Sequence, residues 1–185
     1  MVWLIAGLIV FFGVHVFSSM RSARGRVIAK LGEGPYKGFY SLVSLAGFGL
    51  IVAGMGQAPL IELWDPPAWG TYAAIWVMPL AFVLLAAAFI PSNIRRFTAH
   101  PMLWSVSLWS LVHLLANGDL AGLLLFGAFG LYAVYAMASQ NSRGVRATPG
   151  RRAIAGDIGA LAAGLGSYAL LLHFHGSLFG VEVGY

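Results

Sequence analysis

An all-α bundle that crosses a membrane several times is the fold class this sequence predicts, and three observations carry it. Of 185 residues, 59% are hydrophobic and only 9% are charged, against roughly a quarter charged in a soluble domain. So few charges cannot cover a water-facing surface, so most of the outer surface must face lipid; the mean hydropathy of +0.82 agrees. Six apolar stretches reach or approach the ~20 residues of a spanning helix. They are uninterrupted runs, not short alternating segments, which favours helices over a β-barrel. Finally, the charges alternate from loop to loop.

The six stretches are Val2–Met20, Phe39–Gly56, Thr71–Ile90, Pro101–Ala116, Leu120–Ala138 and Asp157–Leu178. All eleven basic residues fall in three of the loops between them. Arg21, Arg24, Arg26, Lys30 and Lys37 follow the first span. Arg95 and Arg96 precede the fourth, and Arg143, Arg146, Arg151 and Arg152 lie between the fifth and sixth. The alternate loops carry only acids: Glu62 and Asp65, then Asp119, then Glu182 in the tail. The positive-inside rule makes the basic loops cytoplasmic and both termini periplasmic. The expected protein is a single domain over residues 1–185, multi-pass in the bacterial inner (cytoplasmic) membrane.

Taken in order, the first span has no basic region before it and no small-residue cleavage site before Arg21, so it is expected to stay in the protein. It carries His15 at depth, with Phe11 four residues before and Ser18 and Ser19 just after. The second, fifth and sixth spans are rich in small residues, namely Gly47, Gly49 and Gly54, then Gly122, Gly127 and Gly130, then Gly159, Gly164 and Gly166. These permit close helix approach. Trp64 and Trp69 in GQAPLIELWDPPAWG suit an interfacial aromatic belt. Pro79 sits within the third span and removes one backbone hydrogen bond there. The fourth span follows RRFTA, opens with HP and closes with NGD. Pro101 occupies the first turn, where its missing N–H costs nothing, and His100 stands at headgroup level.

Composition also excludes function classes. The net charge of +5 reflects topology and anionic headgroups; the basic loops are short and hold no aromatic residues for stacking, so nucleic acid is not an expected partner. The absence of cysteine removes disulfides, thiolate ligands and thiol nucleophiles together. Ionisable residues within a span are costly and default to functional candidates. Here they are histidines: His15, His113, His173 and His175. A buried carboxylate relay, normal in proton-driven pumps, is missing. His173 and His175 point about 200° apart on a helix, so they cannot share one ion unless the helix has already ended.

His15 and His113 are the two histidines at real depth, and they lie on different helices. That is a minimal constellation for bis-imidazole haem ligation. A depth difference near 12 Å, from 1.5 Å of rise per residue, would tilt the iron axis between them. His100 matches the depth of His15 better, and His173 that of His113, so these stand as alternative ligands.

The whole chain resembles the NnrU family of bacterial membrane proteins, which is related to the zeta-carotene isomerase of plants and cyanobacteria. GVHVFSS around His15, LGEGPYKGFYSLVSLAGFGLIVAG after the first loop, and HPMLW with LVHLLANGD further on carry the resemblance. It implies haem b bound by histidines of the spans, as in the isomerase branch, and an association with nitrite and nitric oxide reduction, as in the NnrU branch. By position it puts His15 and His113 on the iron as metal ligands, with Asn117 beside the cofactor and His100 as substitute. Arg96, Pro101 and Asp119 complete the motif. The chain lacks the long N-terminal region of the plant enzymes, so carotene isomerisation itself is not carried over. Redox chemistry or a redox-type isomerisation follows instead, with the lipid bilayer and an apolar small molecule or nitric oxide as partners, and an oligomer is compatible with this composition. The alternative is a non-enzymatic accessory factor for nitrogen-oxide reductases, without haem. The HP at a helix start is also similar to the isoprenylcysteine carboxyl methyltransferases, but Ala99 before it and Trp104 after it break that motif.

Overall fold

In the computed structural model, residues 1–181 and 183 are described; Glu182, used above in the charge pattern, lies outside the described residues. Seven α-helices run in order among them: α1 Val2–Ser19, α2 Arg21–Leu31, α3 Glu33–Gly56, α4 Gly70–Phe89, α5 Pro101–Ala116, α6 Leu120–Ser142 and α7 Ile154–Phe179. A single 3-10 turn, Asn93–Arg96, stands between α4 and α5. The described residues contain no strand; the one sheet-like contact is an isolated antiparallel bridge between Glu62 and Asp119. The expected polytopic helical architecture is thus found.

Five helices, α1, α3, α4, α6 and α7, are long and apolar enough to cross a membrane. The fourth expected span differs in length. α5 has 16 residues, about 24 Å at 1.5 Å per residue, short of the ~30 Å hydrocarbon core. Its limits are chemical: His100–Pro101 fixes the start and Asn117–Gly118 ends it. A short apolar helix can still span where the bilayer thins or flanking polar groups reach outward.

One helix lies where only a loop is expected. Arg21–Leu31, sequence RSARGRVIAKL, forms α2. It has no apolar run, but arginine, lysine, alanine and leucine are strong helix formers. Met20 breaks it from α1 (φ −80°, ψ 86°), and Gly32 ends it at φ 86°, a backbone conformation that glycine reaches without a Cβ penalty. No α2 residue is fully buried. Ala23, Arg24, Val27 and Ile28 are half-buried, while Arg21, Arg26 and Lys30 are exposed.

The chain forms two compact units. The first holds Met1–Trp64 with Asp119–Ala128, and the second holds Asp65–Gly118 with the chain from Phe129 on. Within the first, α1 packs against α3 with little more than backbone between them. A Cβ on Gly47 would lie 2.8 Å from the Phe11 nitrogen, and one on Gly54 would overlap the Leu4 backbone. These two glycines, seven residues apart on one face of α3, set the approach. Gly49, on another face, meets open space.

Within the second unit, α4 packs against α5 and α7 around Ala81, Val83, Ala87 and Ala160, all buried. Gly164 repeats the device, since a Cβ there would come 2.6 Å from the Val83 Cα. The Tyr168 hydroxyl donates to the Ile75 carbonyl at 2.9 Å, binding α7 to α4. Pro79 lies inside α4, as expected from the sequence.

Candidate functional site

In the first unit His15, near the end of α1, faces α3. Its Nδ1 lies 2.6 Å from the Phe11 carbonyl, one turn back. A carbonyl can only accept, so Nδ1 carries the proton and, in the neutral ring, the lone pair stays on Nε2. The ring stacks on Phe11 (centroids 4.2 Å apart, 29° between planes) and lies 5.3 Å from the Tyr40 ring of α3. One turn further along α1, the Ser18 hydroxyl meets the Tyr36 hydroxyl at 2.9 Å. Tyr36 is buried, and the Arg24 guanidinium lies 5.7 Å from its ring centroid. Tyr36 and Tyr40 are four residues apart and share one face of α3. His15, Tyr40, Ser18, Tyr36 and Arg24 therefore form a continuous ladder leading toward the basic end of the unit.

In the second unit His113 sits in the last turn of α5. Its Nδ1 donates to the Trp109 carbonyl at 2.8 Å, which puts the lone pair of the neutral ring on Nε2 here too. Trp109 flanks it (5.4 Å between centroids) and is itself met edge-on by Phe129 of α6 at 5.5 Å. Both deep histidines thus have one ring nitrogen fixed by a backbone carbonyl, the arrangement that sets tautomer and ring orientation in metal-binding histidines. The same bond also forms in histidines that merely pack inside helices.

The NGD that closes α5 is capping chemistry. Asn117 is the C-cap of α5, and both its backbone N–H (2.9 Å) and its side-chain Nδ2 (2.7 Å) donate to the His113 carbonyl. Asp119 opens α6 by accepting the Gly122 N–H at 2.8 Å. These bonds satisfy end groups that a helix otherwise leaves unbonded. Asn117 therefore anchors the residue that carries the candidate ligand, and Asp119 starts the next helix.

His100 and its neighbours build the opposite end of the second unit. His100 is buried and serves as the N-cap of α5, with Pro101 in the first turn. Its backbone N–H donates to Thr98 Oγ1 at 3.0 Å, and its Nε2 donates to Asn141 Oδ1 at 2.8 Å. Arg95 folds back on α4, donating to the carbonyls of Ala87 (2.8 Å) and Ala88. Arg96, beside it, is exposed. A second knot ties the turn to α7. Asn93 donates from its backbone and its side chain to Asp157, each at 2.6 Å, and exchanges two more bonds with the Arg152 backbone. Sequence reading missed Asn93 and Asp157 as partners, because nothing local links residues 64 positions apart.

Other chemistries find little support. α7 continues to Phe179, so His173 and His175 remain on opposed faces. Among the described residues no three His, Asp or Glu side chains gather as a metal site. A groove of about 400 Å³ in the second unit is lined by Phe82, Ser167, Leu170, Leu171, Phe174 and Leu178; it suits an acyl chain and holds no titratable group. A bare ion held by protein alone would need more ligands than either histidine's surroundings supply.

Long apolar helices, backbone-fixed histidines within them and basic connections between them define a polytopic helical membrane protein. More narrowly, the chain belongs to the NnrU family: the family model described as NnrU protein matches residues 3–183, nearly the whole chain. No curated protein and no solved structure matches it.

Proposed function

We propose that this NnrU-family protein binds haem b within the membrane, with His15 and His113 as candidate axial ligands, and acts in redox chemistry linked to nitrite and nitric oxide metabolism or in a redox-type isomerisation. One observation carries the reading. Each of the two deep histidines donates Nδ1–H to the carbonyl one turn back, at 2.6 Å for His15 and 2.8 Å for His113. Each ring therefore has its tautomer and orientation set by a backbone carbonyl, as outer hydrogen bonds set them in ligating histidines. Haem supplies one-electron chemistry or the binding of a small ligand such as nitric oxide. The chain's own part is to hold the imidazoles, His15 against Phe11 and Tyr40 and His113 against Trp109.

Absorbance spectra of the detergent-purified protein, oxidised and dithionite-reduced, test this for wild type, His15→Ala, His100→Ala and His113→Ala. A b-type spectrum retained in His100→Ala and lost in His15→Ala and His113→Ala is the expected result. A well-folded, colourless wild type from haem-replete cells would overturn it, leaving the accessory-factor reading in place.

A further inference from the structure

The ladder on α1 and α3 ends in a cation, Arg24, whose buried Nε finds no hydrogen-bond partner among the described residues. Its guanidinium is held over the Tyr36 ring, and Tyr36 is in turn fixed by Ser18. The nearby acid is already engaged, since Glu33 pairs with Lys37 at 2.9 Å. The other cations of α2, Arg21, Arg26 and Lys30, are exposed. A buried guanidinium N–H without an acceptor carries the full cost of its desolvation, so an anionic oxygen belongs beside it.

We infer that Arg24 anchors a carboxylate of the bound haem, one of its two propionates. This rests on the haem reading above and on His15 as one ligand. Haem b is a flat apolar ring whose charge at its edge is carried by those carboxylates, so the edge must point toward the aqueous face. Ser18 is three residues beyond His15 on α1, and Tyr36 is one turn nearer the basic end than Tyr40 on α3, about 5.4 Å. The cation therefore stands on the side of His15 toward which a propionate edge would point. A guanidinium offers its N–H groups as a fork that matches a carboxylate, and a small shift of the Arg24 side chain would bring its covered Nε–H into that fork. The same fork would also take a lipid phosphate, and the experiment separates the two sources.

Apoprotein from haem-limited cells, in detergent, is titrated with haem and with haem dimethyl ester, whose propionates carry no charge. Wild type is expected to bind haem about tenfold more tightly than the ester, the scale of a charge-assisted hydrogen bond. Arg24→Gln should lose that preference while binding the ester as wild type does, with Soret and α-band positions unchanged, and Arg24→Lys should keep part of it. Equal affinity of wild type for haem and ester would overturn the inference while leaving the haem reading intact; if lipid phosphate is the acceptor instead, adding an anionic phospholipid would protect wild type but not Arg24→Gln against thermal unfolding. Failure of wild type to take up either porphyrin would overturn the haem reading itself, and this inference with it. The comparison of two porphyrins on wild type needs no variant to fold.

Discussion

His100 Nε2 and Asn141 Oδ1 stand 2.8 Å apart across 41 residues of chain, joining the first residue before α5 to the last turns of α6. His100 is only 7% exposed while Asn141 is exposed, so truncating the imidazole leaves a void behind it and frees Asn141 to water. His100→Ala should destabilise the fold by about 1–3 kcal/mol, lowering the thermal midpoint by several degrees, while leaving any haem spectrum in place. Thermal unfolding and absorbance on the same sample check both halves. A stable variant that has lost its haem bands would make His100 a ligand instead of an anchor.

Helix contact in the first unit depends on two missing methyl groups. Gly54→Ala would push a Cβ into the Leu4 backbone, and Gly47→Ala would set one 2.8 Å from the Phe11 nitrogen. Backbone cannot rotate aside as a side chain can, so each variant should cost about 1–3 kcal/mol in overpacking. Gly49→Ala, which meets open space, should be neutral or slightly stabilising. Melting curves of the three variants in one detergent decide it, and equal midpoints would show that α1 and α3 do not approach this closely.

Asp119 separates capping from cofactor chemistry. Its carboxylate accepts the Gly122 N–H, so Asp119→Ala should cost about 1 kcal/mol while Asp119→Asn is nearly neutral, because asparagine caps almost as well. Neither should shift a haem band. A spectral change in Asp119→Asn, with stability intact, would place the carboxylate near the cofactor.

Much of this was legible in the residues because the signals are local. Apolar runs mark α1, α3, α4, α6 and α7, and HP and NGD mark the ends of α5 by capping chemistry that needs no tertiary context. His15 and His113 stood out because a histidine inside an apolar run is costly. α2 was not legible as a helix, since its sequence has neither an apolar run nor a clean amphipathic period, and the breaks at Met20 and Gly32 look like ordinary loop. Glycine spacing told that helices approach closely but not which face does so: Gly47 and Gly54 meet backbone while Gly49 does not. The Asn93–Asp157 knot and the stacking of Arg24 on Tyr36 depend on pairings distant in sequence, which no single-chain pattern encodes. Tyr36 and Tyr40, four apart in PYKGFY, were the one available hint of the ladder beside His15.

The length of α5 makes its crossing the point on which the topology turns. The chain has no cysteine, so a single introduced one reports one position. Ser22, Gln57 and Ser142 are exposed and lie after α1, after α3 and at the end of α6. If all six apolar helices cross with both termini periplasmic, Gln57→Cys reacts with a membrane-impermeant maleimide in intact bacterial cells. Ser22→Cys and Ser142→Cys then react only after permeabilisation. If the 16-residue α5 does not cross, every later helix reverses and Ser142→Cys reacts in intact cells, while the other two positions keep their sides. The arginines at 143, 146, 151 and 152 favour the first outcome, since a non-crossing α5 would put all four outside, against the positive-inside bias. Labelling of Ser22→Cys in intact cells would invert the orientation altogether and place His15 near the periplasmic end of its helix.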